Sequence, residues 1–402
     1  MLSAVRIVTV FLTIEMILML YVKCLQAFAC LSMLMLCICT TTIEPINNEM
    51  NQMNNQTSEH PYREVEVSYK NKSSGITLSG TLTMPSTEGP FPVALLIAGM
   101  GPIDRDGTNY YGHKPSLALA HHLGCQGIAT LRVDKRGVGH STGTFDQRLT
   151  TYRDFADDVL VGIEYLKTCK EINPKSIGLI GHSEGGLVAT IVAANSPDVA
   201  FVVLLAGAIV NDTQSLVEQT AIQLRADGAS EEMVRQDGLL RTQMLETIKH
   251  EDSIEKAENR LQELFVQYWT NLQEDQKQES ENILFAISQA KFDSRIKFMN
   301  SIYYRFMLTY DSLSVLSQIK IPILVIYGEL DFMAPHIILP LIRKAIQQAG
   351  NKSNAVLELP KLNHSLQTGK TGSMAEYATI KEAIAPMALS VISDWIVAQM
   401  GK

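Results

Sequence analysis

Short apolar runs recur along the chain after residue 90, and they constrain the fold more than any other feature. A half-exposed strand alternates apolar and polar residues, whereas uninterrupted runs fit strands that are buried on both faces of a parallel sheet. Helical apolar spacing lies between the runs, for example over 116–123 and 154–166. This alternation predicts an α/β fold with a mostly parallel sheet and helices on both faces. The runs are 93–97, 128–133, 176–180, 199–205 and 321–327.

Two segments depart from this alternation. Residues 64–70 and 76–84 each alternate in polarity, which predicts an antiparallel hairpin ahead of the parallel strands. From about 212 to 318 the chain has no proline, is rich in Gln, Glu and Leu, and shows helical apolar spacing. We interpret this stretch as a helical insertion between two strands of the sheet.

The first forty residues differ in composition from the rest. Two apolar runs are separated by Lys23, and the small residues of Ala27-Phe28-Ala29 are typical of a secretory cleavage site. Together the two runs are also long enough for an uncleaved membrane anchor. We therefore expect a signal peptide or anchor at 1–40, a polar linker at 41–60 and the folded domain at 61–402. The protein is expected to be exported and to be periplasmic, secreted or membrane-anchored.

Two further alternatives apply to this segment. Translation from Met16 or Met19 would leave a shorter signal. Lipid attachment at a cysteine is disfavoured, because the residues before Cys37 and Cys39 are bulky.

Charge and cysteine content exclude several classes of protein. The formal net charge of −8 argues against a nucleic-acid partner, which needs a basic face. The 46% hydrophobic content excludes a disordered chain. Only Cys125 and Cys169 lie outside the N-terminal segment, and neither belongs to a CxxC pair. We therefore expect no zinc site, no disulfide framework and no cofactor.

A serine flanked by glycines follows one of the apolar runs. The string Gly181-His182-Ser183-Glu184-Gly185-Gly186 comes directly after 176–180 and before the helix-like 187–194. A GxSxG string alone is a weak signal, but between a strand and a helix it predicts a nucleophile elbow. Glycines two residues on either side remove the Cβ atoms that would collide in so tight a turn. Ser183 is the candidate nucleophile.

A serine hydroxyl needs a neighbouring base to become nucleophilic. His364 is the candidate base, because it follows the strand-like 355–359. Asp331, which follows the run at 321–327, is the candidate acid that orients the histidine. Glu329, two residues nearer the strand, is the alternative acid.

Negative charge that develops on a substrate oxygen requires two backbone N–H donors. Glu184 follows the serine at a predicted helix N-terminus and is one candidate donor. The other is Met100, in the loop after 93–98. The charged strings 104–106 and 134–136 are interpreted as ion pairs that brace loops near the site rather than as substrate clamps.

On these residues the chain resembles the α/β-hydrolase superfamily, and more closely its exported bacterial carboxylesterases of the serine aminopeptidase (S33) or hydrolase-4 group. The resemblance runs from about Glu64 to the C-terminus. It rests on the elbow, on the order Ser183, Asp331, His364, and on three strings: GMGPIDRDG at 99–107, RVDKRGVGHSTG at 132–143 and LNH at 362–364. It implies an α/β-hydrolase fold in which the insertion at 212–318 forms a helical cap. Relatives often have His-Gly-Ser where this chain has Ala98-Gly99-Met100, which leaves the backbone donor intact but bears on acyl specificity.

The sequence therefore predicts a serine hydrolase that cleaves small-molecule carboxylic esters through an acyl-enzyme, without a metal or organic cofactor. In this mechanism Ser183 attacks, His364 transfers the proton, Asp331 orients His364, and the Met100 and Glu184 amides stabilise the oxyanion. A serine aminopeptidase and an acyltransferase use the same chemistry and stay open as alternatives. A non-catalytic binding protein on this fold would lack one of the three side chains, and none is missing.

Overall fold

A computed structural model describes residues 60–283 and 286–400. The predicted signal or anchor at 1–40, and all of the predicted linker at 41–60 except His60, lie outside the described residues. None of the described helices combines the length and the apolar character needed to cross a bilayer.

The described residues contain one eight-stranded sheet of order β1-β2-β4-β3-β5-β6-β7-β8. β1 and β2 form an antiparallel hairpin, β2 also pairs antiparallel with β4, and the other neighbours are parallel. This confirms the predicted mostly parallel sheet and its leading hairpin. The strands are β1 Tyr62–Asn71, β2 Ile76–Pro85, β3 Phe91–Ile97, β4 Ala129–Val133, β5 Ile172–His182, β6 Phe201–Leu205, β7 Ile323–Gly328 and β8 Asn354–Leu359.

Five helices flank the sheet among the described residues. The first three begin near the predicted positions but extend by one to three residues at each end, because caps and turns rather than apolar residues set their limits. A capping box at Thr151 and Asp154, for example, starts α2 two residues before the predicted helix. The five are α1 Pro115–Cys125, α2 Tyr152–Thr168, α3 Glu184–Asn195, α11 Pro335–Gln348 and α12 Pro386–Met400.

Helices cover both faces of the sheet, as β3 illustrates. Val93, Leu95 and Ile97 belong to one hydrophobic core and the intervening Ala94 and Leu96 to another. Side chains alternate along a strand, so each face of β3 is buried by a different layer. The first core includes residues of α2, α3 and α11, and the second includes residues of α1 and α12. This is why the strand sequences are continuously apolar.

Between β6 and β7 the described residues form seven further helices, which we call the cap. Its own apolar core includes Met244, Leu261 and Phe265. The cap packs on the main domain through aromatic rings: Tyr303 stacks on Tyr152 with ring centroids 5.0 Å apart. The helices are α4 Thr213–Ala226, α5 Glu231–His250, α6 Ile254–Asn271, α7 Glu274–Asn282, α8 Phe292–Met299, α9 Ile302–Thr309 and α10 Ser312–Leu316.

Candidate active site

The candidate site residues follow the carboxyl ends of neighbouring strands. Ser183 lies directly after β5, Asp331 follows β7, and His364 follows β8. Met100 lies in the loop after β3. Since these strands are parallel, their carboxyl ends meet at one edge of the sheet, where α/β folds place their ligand sites.

The structure brings Ser183, His364 and Asp331 together in one hydrogen-bonded chain. His364 Nε2 lies 3.0 Å from Ser183 Oγ, and His364 Nδ1 lies 2.9 Å from Asp331 Oδ1. A neutral imidazole that donates from Nδ1 to the carboxylate leaves Nε2 free to accept the serine proton. The arrangement therefore has the geometry of a nucleophile, a base and an orienting acid.

The backbone at Ser183 adopts the strained turn of a nucleophile elbow, with φ 54° and ψ −118°. A side chain at either flanking glycine would collide with the main chain. A Cβ on Gly181 would lie 2.1 Å from the carbonyl oxygen of Gly185, and a Cβ on Gly185 would lie 2.1 Å from that of Ile97. The two glycines are therefore required for the turn that exposes the serine hydroxyl.

Asp331 is almost wholly buried, with 1% of its surface exposed. Its Oδ1 also accepts a hydrogen bond of 2.9 Å from the Met333 N–H, which fixes the carboxylate facing the imidazole. Glu329 does not face the histidine: its Oε2 accepts from the Lys361 N–H at 2.9 Å. Of the two candidate acids, the structure thus places Asp331, and not Glu329, against the histidine.

The loop that carries His364 is held by a buried amide pair. Asn363 Oδ1 accepts from the backbone N–H groups of Ser365 and Gln367, at 3.0 and 2.9 Å. Gln367 Nε2 in turn donates to the Glu382 carbonyl at 2.7 Å. Asn363 and Gln367 are fully buried, so these bonds fix the position of the histidine backbone.

His182 lies beside His364, with ring centroids 5.1 Å apart, but has a different role. Its Nε2 donates to the His364 carbonyl oxygen at 2.9 Å, which joins the elbow to the histidine loop. Burial, together with the neighbouring His364, lowers the pKa of His182 to about 4. At neutral pH it is therefore an uncharged structural donor.

Met100, Ser183 and Glu184 all belong to the lining of one cavity. Glu184 is the first residue of α3, where backbone N–H groups have no partner within the helix. Among the described residues, neither the Met100 N–H nor the Glu184 N–H donates a hydrogen bond to the protein. Both amides are thus available to an oxyanion. The sequence did not indicate which contact holds the two segments in place.

Lys135 links the two segments that carry the Met100 and Glu184 backbone amides. Its Nζ donates to the Glu184 carboxylate at 2.8 Å and also to the Gly99 carbonyl. Burial raises the pKa of Glu184, whereas Lys135 lowers it. Lys135 thereby joins the loop before Met100 to the helix that begins after Ser183.

The cavity lies between the sheet edge and the cap and has a volume of about 980 Å³. Ser183 and His364 line one side, and most of the lining is apolar. Cap residues in the lining include Leu216, Leu245 and Phe298. A pocket of this size and character is suited to a small organic molecule.

A family model for the alpha/beta hydrolase fold matches residues 105–368, which is more than half of the chain. The chain belongs to the α/β-hydrolase family. The matched range includes Ser183, Asp331 and His364, and the match agrees with the observed sheet and with the superfamily resemblance drawn from the sequence.

Similarity to individual α/β-hydrolases is more limited. Esterase EstD from Thermotoga maritima is 32% identical over 124 residues, which is 30% of this chain and 28% of the relative. Est1E from Butyrivibrio proteoclasticus, solved with ferulic acid, is 17% identical with a TM-score of 0.49, covering 84% of this chain and 100% of that one. GrgF from Penicillium sp. sh18 is 18% identical with a TM-score of 0.47, covering 85% and 100%.

The charged strings of this α/β-hydrolase brace loops, in line with their interpretation from the sequence. Arg105 Nη2 and Asp134 Oδ2 lie 2.8 Å apart. Asp106 pairs with Arg132, and Arg136 Nε lies 2.8 Å from Asp158 Oδ2. These pairs join the segment after β3 to β4 and to the segment that follows β4, and join the latter segment to α2, and none of their residues belongs to the described cavity lining.

Three positively charged cavity residues of the hydrolase escaped sequence analysis: Arg241 and Arg295, in cap helices, and Lys291, in the turn before one. They belong to no motif, and helical periodicity alone does not tell which polar residue of an insertion faces a cavity. Across residues 60–283 and 286–400, no cluster of three or more His, Cys, Asp or Glu is placed to hold a metal ion.

Proposed function

We propose that this α/β-hydrolase cleaves small-molecule carboxylic esters through a covalent acyl-enzyme. The observation that carries the proposal is the single chain of hydrogen bonds from Asp331 through His364 to Ser183, with distances of 2.9 and 3.0 Å. The esterase relative, although it matches only a segment, supports the same class of substrate.

In the first half-reaction the Ser183 hydroxyl attacks the ester carbonyl carbon and its proton passes to His364 Nε2. Asp331 stabilises the imidazolium through its bond to Nδ1. The carbonyl oxygen becomes an oxyanion that the Met100 and Glu184 amides stabilise, because both residues line the same cavity as the serine and neither N–H donates a hydrogen bond within the described residues. His364 then gives its proton to the departing alcohol oxygen.

In the second half-reaction water attacks the acyl-enzyme. His364 takes a proton from the water, the tetrahedral intermediate collapses, and Ser183 recovers its hydroxyl hydrogen. The acid is released, so ester and water give acid and alcohol with all atoms accounted for.

An aminopeptidase is less well supported than an esterase. It needs a carboxylate to bind the substrate ammonium, and Glu184 is the one carboxylate residue among the described residues that line the cavity. Lys135 already pairs with it at 2.8 Å. The cap side of the cavity carries Arg241, Lys291 and Arg295, which would repel an ammonium group.

The test compares Ser183→Ala with Ser196→Ala, which makes the same change near the other end of α3. We expect Ser183→Ala to abolish both hydrolysis of a short-chain para-nitrophenyl ester and labelling by a fluorophosphonate, while Ser196→Ala retains both. Ester turnover by folded Ser183→Ala would refute the mechanism. A parallel assay on aminoacyl-naphthylamides that gave the higher kcat/KM would favour the peptidase instead.

We also propose export, on the strength of the apolar residues 1–40 and the small residues at 27–29. Fractionation of cells that express the full chain, followed by mass measurement of the recovered protein, tests this. A shortened protein outside the cytoplasm indicates a cleaved signal, a full-length protein in the membrane indicates an anchor, and a full-length cytoplasmic protein would contradict export.

A further inference from the structure

The cap side of the cavity is rich in positive charge. Arg241, Lys291 and Arg295 line it, all from cap helices or the turn before one. The one acidic side chain in the described lining, Glu184, belongs to α3 rather than to the cap and is paired with Lys135 at 2.8 Å. The lining therefore has an excess of cations beneath the cap.

Two of these three cations are already engaged by the protein. Arg241 forms an ion pair with Asp237, which is fully buried. Lys291 Nζ donates to the Ile283 carbonyl at 2.7 Å and to the Glu281 carbonyl at 3.3 Å, and so covers the end of α7. Structural roles account for both side chains.

Arg295 differs from the other two. Within residues 60–283 and 286–400, its guanidinium donates no hydrogen bond and has no carboxylate within ion-pair distance, and its Nε is buried without a partner. Burial and the neighbouring Arg241 lower its pKa to about 10 although Asp237 acts in the opposite direction, and the side chain stays protonated at neutral pH. A partly buried charge without a hydrogen-bonded partner is unfavourable, and an anion bound in the cavity would relieve this.

We infer that Arg295 recognises a second, anionic group on the ester substrate, at a distance from the ester that Ser183 attacks. This inference rests on the proposed function and narrows its substrate class to esters that also carry a carboxylate or similar anion. A guanidinium presents parallel N–H donors that match a carboxylate in a bidentate pair. A cavity of about 980 Å³ accommodates both the ester and such a group.

The substrates that test this differ only in charge. On the acyl side they are para-nitrophenyl half-esters of adipic, suberic and sebacic acid, each compared with the para-nitrophenyl ester of the corresponding monoamide. Shorter half-esters are avoided because their own carboxylate expels the phenol. On the alcohol side they are the acetate esters of ω-hydroxyhexanoate and of its amide, followed by acid release. The two series show on which side of the ester the anion lies.

The variants are Arg295→Gln, Arg295→Lys and the matched control Arg260→Gln. Arg260 also lies in the cap, but outside the cavity lining, and pairs with Glu263 at 2.8 Å. Its substitution removes the same charge from the surface. Since the Arg295 side chain makes no hydrogen bond in the described residues, its replacement is expected to fold, which fluorophosphonate labelling verifies.

We expect the wild-type enzyme to favour the carboxylate over the amide in at least one series, by roughly tenfold or more in kcat/KM, as a charge-assisted hydrogen bond predicts. Arg295→Gln should abolish that ratio through a higher KM for the anionic ester, Arg295→Lys should restore part of it, and Arg260→Gln should keep it. Equal use of both partners by the wild-type enzyme, or a ratio unchanged in Arg295→Gln, would overturn the inference while leaving ester hydrolysis intact. Failure of every ester would remove the proposed function and the inference together.

Discussion

Lys135 Nζ lies 2.8 Å from the carboxylate of Glu184, and both side chains are buried or nearly so. The same ammonium also binds the Gly99 carbonyl, so that one cation joins the two segments that supply the candidate oxyanion amides. The contact connects residues 49 positions apart in sequence. Part of the geometry of the candidate site thus depends on a buried ion pair rather than on a residue proposed to touch substrate.

Lys135→Met should destabilise the protein, because it leaves the Glu184 carboxylate buried without its partner. Removal of one member of a buried pair typically costs about 3–5 kcal/mol. Burial already raises the pKa of Glu184 in the folded state, so folding favours its protonated form, and the loss should grow as pH rises. Urea unfolding at pH 5 and pH 8 measures both effects.

The control is the double variant Lys135→Met, Glu184→Gln, which removes the charge along with its partner. It should recover most of the lost stability at pH 8, because no charge stays buried. A single variant that was equally stable at both pH values would show that Glu184 is not the source of the effect.

Asp331→Asn should lower kcat by about a thousandfold or more while folding is retained. The amide can donate a hydrogen bond to Nδ1 and so favour the imidazole tautomer that cannot accept the serine proton at Nε2. Glu329→Gln is the matched control, since Glu329 bonds the Lys361 N–H instead of the histidine. Steady-state kinetics on a para-nitrophenyl ester tests the pair, and the reverse order of effects would make Glu329 the acid.

His182 should make the stability of the protein depend on pH. Its pKa is lowered to about 4 in the folded state, whereas the pKa of a histidine in an unfolded chain is about 6.5. The unfolded chain therefore binds more protons between these values, and stability falls as pH falls from 6.5 towards 4. At pH 5 this single group is expected to account for about 2 kcal/mol of the loss.

His182→Gln tests this while keeping a side-chain donor for the His364 carbonyl. Its free energy of unfolding should change less between pH 7.5 and pH 5 than that of the wild-type protein, as measured by urea titration. His336→Gln, which alters an exposed histidine, should behave like the wild-type protein. If the free energy of unfolding changed equally with pH in all three proteins, that would contradict the lowered pKa of His182.

The sheet and the order of the site residues could be predicted from the sequence because both leave local signals. A strand buried on two faces, such as 323–328, has to be apolar throughout. The elbow at Ser183 needs glycines at fixed positions, and a base and an acid that follow later strands reach the same sheet edge. Each of these signals can be recognised within a few residues of sequence, even though the site residues themselves lie far apart along the chain.

Other features depend on contacts between distant segments. Asp331 and Glu329 both follow β7, and only the position of the histidine loop distinguishes them. Arg295 has no motif, and its importance comes from the absence of a partner in the described residues, which no local pattern records. The limits of the strands also depend on distant contacts and so differ from the limits of the apolar runs. β5 begins at Ile172, before its apolar run, because Ile172 pairs with Phe91 of β3.

Gly185→Ala should abolish activity, because the added Cβ would lie 2.1 Å from the Ile97 carbonyl oxygen. Neither backbone can yield without moving Ser183, so we expect loss of fluorophosphonate labelling together with a destabilisation of several kcal/mol. Gly238→Ala makes the same change inside α5, where the nearest atom, Val217 Cγ1, is 3.4 Å from the new Cβ. Since alanine is about 1 kcal/mol more favourable than glycine in a helix, this variant should keep full labelling and unfold at slightly higher temperature. Thermal unfolding and probe labelling of both variants decide the matter: a fully active Gly185→Ala would mean that the elbow tolerates a side chain and that the packing described around Ser183 is wrong.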